Sequence, residues 1–266
     1  MNIIDRVKNA KNRRVPRTLQ VKSANNLTPN MRRVTLHGDA LASFPKDSEG
    51  AYIKLLFNQA GKEKPVMRTY TVAEQRSDQN EIDVDFMLHN SLDNNTNHGI
   101  AAPWSLGTAV GDEISIAGPG PAKFINTDAE YFLLAGDMTA LPALTTNLKR
   151  LPENAKGQVF IEVLSESDIQ NLIKPEGIEL QWVINDNPGS DASQLFHAIE
   201  KDLRQTQGLS TWVACEFKTM KKIRQYLREE CTIERSHLYV SSYWKKGNTE
   251  EEHKKAKQTD ADQANA

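Results

Sequence analysis

Arg68-Thr69-Tyr70-Thr71 puts a guanidinium, an aromatic ring and two hydroxyls into four consecutive residues. A guanidinium makes charge-assisted bonds to phosphate. An aromatic face stacks on a flat heterocycle, and a hydroxyl or amide can bond one edge of it. Together these are the groups that a flavin needs around its phosphate, its ring and its reactive nitrogen, which makes electron transfer the chemistry to consider. The same string also suits an ordinary β-strand, because Tyr and Thr are good strand formers. Taken alone, it does not choose between the two readings.

Other candidates follow along the chain. Val84-Asp85-Phe86-Met87-Leu88-His89 is a strand-like run that ends in a histidine, a residue type that is equally at home packed or facing solvent. Gly99-Ile100-Ala101-Ala102-Pro103-Trp104 should turn from loop into a short helix. Glycine permits close backbone approach, and N–H groups at a helix start attract phosphate. Pro103 suits an early helical position, where its missing donor costs little. An ordinary turn around a buried Trp104 accounts for the same residues. Gly136-Asp137-Met138-Thr139 follows an apolar run and opens a helical pattern. Ligands approach open parallel sheets at such strand ends. The segment is not a G-x-G-x-x-G fingerprint, and Asp137 or Thr139 serves equally as a helix N-cap. Glu216 follows another strand end and points either to the same crevice or to solvent.

The elements that must hold these residues change character midway. Alternating segments at Arg17–Asn25, Met31–His37, Ala51–Asn58, Val66–Ala73, Ile82–His89 and Asp112–Ala117 predict a closed six-stranded antiparallel barrel. Gly118-Pro119-Gly120-Pro121 ends the last strand. Strands are then expected at Tyr131–Ala135, Val159–Leu164, Glu179–Ile184, Thr211–Cys215 and Leu238–Val240. Helices are expected at Ala140–Leu151, Asp168–Ile173, Ser193–Arg204 and Lys218–Glu230. That alternation predicts a parallel sheet with covering helices, a β plus α/β fold. The expected division is a barrel domain over 1–127, an α/β domain over 128–247 and a polar tail over 248–266. Within the tail, Thr249–Gln258 reads as an exposed helix and Thr259–Ala266 as frayed.

Composition removes several function classes. At 266 residues with 38% hydrophobic and 26% charged side chains, the chain reads as globular, with a core of useful size. No apolar run is long enough to cross a bilayer, and the basic start Met1–Arg14 lacks the apolar core of a secretory signal. A formal net charge of −2 gives no case for nucleic acid, so any anionic partner must be held by a local basic patch. Cys215 and Cys231 are not metal-spaced, which suggests free thiols in a reducing, cytoplasmic compartment and no metal site.

The order of barrel and α/β domain is that of the ferredoxin-reductase-like flavoproteins. In detail the chain resembles the siderophore-interacting protein family of FAD-dependent ferric-siderophore reductases. The resemblance spans about Arg17 to Gly247. Besides the segments above it rests on Gly111-Asp112, Gly118-Pro119, Leu134-Ala135-Gly136-Asp137-Met138-Thr139-Ala140-Leu141-Pro142-Ala143, Trp212-Val213-Ala214-Cys215-Glu216 and Tyr243-Trp244-Lys245-Lys246-Gly247. Each piece is weak, and their joint order and spacing are specific.

The resemblance implies FAD held by Arg68, Thr69, Tyr70, Thr71, Asp85, His89, Gly99, Ala101, Ala102 and Trp104. Tyr70 would stack on the isoalloxazine, Thr71 would lie near its N5 edge, and His89 would sit near the sugar or ribityl-phosphate. Asp137, Thr139 and Glu216 would face the electron donor, which is NADH, NADPH or a ferredoxin. Lys54, Lys123, Lys245 and Lys246 would attract an anionic ferric siderophore. No acid–base residue is needed for the electron step, and a monomer suffices. A general flavin or ferric reductase on the same scaffold, or a siderophore-binding protein without turnover, are the rival readings.

The chain departs from the family pattern in places. It has Cys215 and Ser242 where glycine is common, and Lys245 where arginine is common. Gly118-Pro119-Gly120 lacks a following arginine, for which Lys123 can substitute. No cation follows Trp182-Val183-Ile184 in Asn185-Asp186, which weakens the case for reading a 2′-phosphate.

Overall fold

The computed structural model describes residues 15–61, 63–88 and 99–264. It separates into two compact units, one ending at Lys123 and one beginning at Phe124. The first is a closed antiparallel barrel of β1 (Arg17–Thr28), β2 (Met31–His37), β3 (Tyr52–Phe57), β4 (Val66–Arg76), β5 (Glu81–Met87) and β6 (Glu113–Ala117), in the order β1-β2-β5-β4-β3-β6. Period-two alternation turns Leu19 and Val21, Val34 and Leu36, Ile53 and Leu55, Ile82, Val84 and Phe86, and Ile114 and Ile116 into one core. Each large side chain buried there contributes roughly 1.5–3 kcal/mol. A short helix, α1 (Ala101–Gly107), packs against β2 and β5.

The second unit is a parallel sheet of β7 (Tyr131–Asp137), β8 (Gly157–Val163), β9 (Ile178–Ile184), β10 (Leu209–Glu216) and β11 (Leu238–Trp244), ordered β11-β10-β7-β8-β9. Strands β8 and β10 are buried at every position, as a sheet covered on both faces requires. The helices are α2 (Leu141–Arg150), α3 (Gln194–Asp202), α4 (Phe217–Glu229) and α5 (Glu250–Ala264). The chain runs from β7 outward to β9 and then returns to β10 on the other side, so the strand order reverses between β7 and β10. The carboxyl ends at that reversal are Asp137 and Glu216.

Three sequence expectations need correction. The helix expected at Asp168–Ile173 does not form. A single 3₁₀ turn over Glu166–Asp168 ends in extended Ile169, with Asp168 fully buried and its carboxylate taken by the Ser165 hydroxyl at 2.9 Å. Ile169 and Ile173 are exposed, so the apolar spacing there has no face to bury. The C-terminal tail is not frayed from Thr259, because α5 continues to Ala264. It is anchored at Asp260, whose carboxylate accepts two bonds from Arg224 at 2.6 and 2.8 Å. Neither Asp137 nor Thr139 is the N-cap of α2, a position held by Ala140. Among the described residues no helix is long and apolar enough to cross a membrane, and no cluster of three or more His, Cys, Asp or Glu side chains could hold a metal ion. The basic start and His89 lie outside the described residues.

Candidate functional site

Strand β4 serves two partners in succession. Its first half, Val66 to Thr71, registers with β3, from Phe57↔Val66 to Tyr52↔Thr71. Its ladder with β5 begins only at Val72↔Val84. Beyond Val84, residues Asp85, Phe86 and Met87 register with β2. Residues directly opposite on antiparallel strands share a face. Tyr70 lies opposite Ile53, and Arg68 opposite Leu55, so both take the parity of the barrel core. Where the β4–β5 ladder ends, the half-buried Tyr70 ring meets the fully buried Phe86 ring at 4.5 Å and 37°. Trp104 of α1 packs on Phe86 at 5.7 Å and on Phe57 at 5.8 Å. Four aromatic rings thus line one end of the barrel.

The other predicted residues divide around this cluster. Arg68 Nη1 donates to the Met67 carbonyl at 2.8 Å. Thr69 and Thr71 have the opposite parity to Arg68 and Tyr70, with Thr71 buried opposite Tyr52. Lys54 donates from Nζ to the Thr69 hydroxyl. It therefore lies on the outer face of β3, away from the side that carries Tyr70. Asp85 binds the Arg33 guanidinium through both oxygens, at 2.7 and 2.9 Å. Gly99 has φ +63°, the left-handed conformation that favours glycine. The first helical bond of α1 runs from the Trp104 N–H to the Ile100 carbonyl at 3.2 Å. The N–H groups of Ala101 and Ala102 precede it, among those that a helix leaves unused in its first turn. Arg32 Nε fastens α1 to the barrel through the Ser105 carbonyl at 2.7 Å.

In the second unit, carboxylates gather at the carboxyl ends of three neighbouring strands. Asp137 Oδ1 accepts from the Thr139 N–H at 2.9 Å and from the Thr139 hydroxyl at 2.5 Å, and its Oδ2 accepts from Trp244 Nε1 at 2.8 Å. Burial pushes its pKa up, against the pull of those donors. Glu216 is buried rather than solvated. Its Oε2 caps α4 by accepting from the N–H groups of Lys218 and Thr219 at 2.6 and 3.2 Å, and its Oε1 accepts from the Lys246 N–H at 3.3 Å. Glu162 lies beside Asp137 in the β7–β8 register and accepts from Asn185 Nδ2 at 2.8 Å. Burial first, and then the charge of Asp137, raise it to about 7. Cys215 is a small packed thiol, pushed well up by burial and by these carboxylates.

The lysine set is split between the units. Lys54 and the exposed Lys123 belong to the first. Lys245 and Lys246 lie in the second, where Lys245 Nζ sits 5.1 Å from the Phe217 ring centre and Lys246 Nζ donates to Asn187 Oδ1 at 2.5 Å. Sequence reasoning gave no site role to Phe57, Phe86, Glu162 or Trp244. Phe86 and Phe57 carried a signal, since strand alternation puts them on the same barrel face as Tyr70. The Trp244–Asp137 bond joins residues 107 apart and left no local trace.

Comparison with known proteins agrees with this architecture. Residues 129–247 match the siderophore-interacting protein family, and residues 20–65 and 59–123 match the siderophore-interacting FAD-binding domain. The ferric vibriobactin reductase ViuB of Vibrio cholerae is 34% identical over 259 residues, covering 89% of this chain and 92% of that protein. An NADPH-dependent ferric-chelate reductase of Escherichia coli is 24% identical, with 86% and 92% covered. The siderophore-interacting protein SipS of Aeromonas hydrophila superimposes with a TM-score of 0.82 at 28% identity, over 94% of this chain and 99% of that one. A ferredoxin–NADP+ reductase of Plasmodium falciparum shares the fold at 17% identity, with a TM-score of 0.67 over 86% and 96% of the two chains. Barrel, parallel sheet and both matched segments lead to one assignment: the chain belongs to the siderophore-interacting protein family.

Proposed function

We propose that this protein is a cytoplasmic, FAD-dependent reductase of ferric siderophores that takes electrons from NADH, NADPH or a ferredoxin. The single observation that carries the reading is the half-exposed Tyr70 ring at the place where the β4–β5 ladder ends. The groups around it fit FAD in kind: an aromatic face at Tyr70, a guanidinium at Arg68, and a helix start at Ala101 and Ala102 preceded by a left-handed glycine. When bound, FAD supplies the exchange between a two-electron donor and one-electron reduction of Fe(III). Tyr70 orients the ring by stacking, and Arg68 and the α1 N–H groups hold phosphate. Asp85 is held by the Arg33 guanidinium, which ties β5 to β2 beside the site.

Asp137, Thr139 and Glu216 shape the strand ends at the reversal of the sheet, where a donor would approach. The cations proposed for the anionic iron complex are Lys245 and Lys246 on the second unit and Lys123 on the first. Lys54 takes part only if the complex reaches the outer face of β3. Reduced iron is less tightly held by hard oxygen chelators, so release follows the electron step. Similarity to the ferric vibriobactin reductase of Vibrio and the ferric-chelate reductase of Escherichia supports this reading over a general flavin reductase or a binding protein without turnover. Anaerobic mixing of the purified yellow protein with each donor, then with a ferric siderophore, tests it. Bleaching followed by return of the visible spectrum is expected. A protein that takes up no flavin, or a bleached protein that ferric siderophore leaves unchanged, defeats it.

A further inference from the structure

Phe86 is fully buried on β5, two residues past Val84, the last residue registered with β4. Its ring is the one that touches both Tyr70, at 4.5 Å, and Trp104, at 5.7 Å. Trp104 is fixed in turn by Phe57, at 5.8 Å and 70°. On the other side of β5, the neighbouring Asp85 is clamped to β2 by two bonds from Arg33. Phe86 therefore cannot slide along its strand without breaking a bidentate ion pair. It forms a fixed wall behind Tyr70 and a bridge from that ring to α1.

We infer that Phe86 is a positioning residue that sets the plane of Tyr70 and couples it to α1, the helix whose start is read as the phosphate end of the flavin site. The inference rests on the FAD reading above. The stacking ring must present one face at a fixed tilt, and aromatic pairs of this kind hold such a tilt more sharply than aliphatic contacts of equal area. Removing the Phe86 ring takes away the aromatic contact that sets the tilt of Tyr70 and cuts its link to Trp104. The consequence is specific. The stack against the isoalloxazine loosens, and binding at the phosphate end no longer helps to order the ring end.

The test uses the full-length chain with Phe86→Leu, Phe86→Tyr and Phe86→Trp. Titrations with FAD, and with riboflavin, which lacks the phosphates, give the advantage conferred by the phosphate end. Fluorescence and visible circular dichroism of the bound flavin report the stack. Phe86→Leu is expected to weaken FAD roughly tenfold, to shrink the FAD-over-riboflavin ratio and to raise the fluorescence of whatever flavin stays bound. Phe86→Tyr should restore all three. A residue that merely fills the core would lower the melting temperature and leave the bound-flavin spectrum and the ratio unchanged, and that result overturns the inference. If Phe86→Leu does not fold, Phe86→Trp carries the same test, because it keeps a ring while changing its plane. An unaltered spectrum there is equally decisive against it. Failure of the underlying reading is distinguishable, because a wild-type chain that takes up no FAD shows it before any substitution is made.

Discussion

Glu162 gives the molecule a pH dependence of its own. Burial holds its carboxyl at about 7, against an ordinary 4.5, so the folded chain keeps a proton that the unfolded chain has released. Stability from this group is present below about 4.5, falls as pH rises to about 7, and is fully lost above that. The loss is at most about 3 kcal/mol. Glu162→Gln keeps an acceptor for Asn185 and removes the charge. In urea melts it should flatten the pH slope between 5 and 7.5 and stabilise the protein above pH 7; an unaltered slope would contradict the assignment. At the same scale, Lys245→Ala with Lys246→Ala should raise the siderophore KM several-fold with FAD content unchanged, since Lys245 packs on Phe217 and the buried contact of Lys246 is made by its backbone. Unchanged kinetics in the double variant would remove the basic patch. Roles at this scale were only partly legible. Lys54 was expected in the siderophore patch, and the register with its bond to Thr69 puts it on the outer face, a position with which the alternation of Tyr52, Lys54 and Leu56 is compatible. The burial of Glu216 was not readable, because a glutamate after a strand looks alike whether it caps a helix or faces water.

Helix α5 shows how an element can be legible while its docking is not. Its buried positions are His253 and Asp260, not an apolar stripe, with Ala256 packed at the edge of the core. His253 Nε2 meets the Ser242 hydroxyl at 2.8 Å, Lys257 Nζ donates to the Ser242 carbonyl at 3.0 Å, and Arg224 grips Asp260. Burial, with Lys257 nearby, lowers His253 to about 4, from 6.5 when undocked. An undocked His253 binds a proton below about 6.5 that the docked one refuses, so docking weakens as pH falls from about 6.5 toward 4. Protection of the amides across 250–264, measured against the intrinsic exchange rate at each pH, should fall over that window, and protection that holds level or rises on acidification would refute it. Arg224→Ala leaves a buried carboxylate without its guanidinium and should release the helix at neutral pH. Residues Arg224 and Asp260 are 36 positions apart, which explains why the sequence reads the last turn as frayed. The missing helix after β8 has the converse cause, since periodicity proposed it and no covering surface existed to receive it.

At the scale of the whole molecule, a formal charge of −2 offers no long-range attraction to an anionic substrate. Steering must come from local lysines, and surface charges are screened over about 10 Å at 0.1 M salt. The KM for an anionic ferric siderophore should therefore rise several-fold from about 0.05 M to about 0.5 M salt, while that for an uncharged complex stays level. Equal salt dependence for both would mean that the lysines do not act on substrate charge. The order of elements, a six-stranded barrel and then a parallel sheet, was determined by the sequence itself, because burial periods of two and the alternation of strands with helices are local properties that each segment carries alone. Encounters between distant residues were decided by tertiary structure. Phe86 reaches Tyr70, Trp244 reaches Asp137 and Arg224 reaches Asp260 only after register and strand order bring them within bonding range. Those contacts depend on how the strands close and which helix covers them, and no period along the chain encodes either.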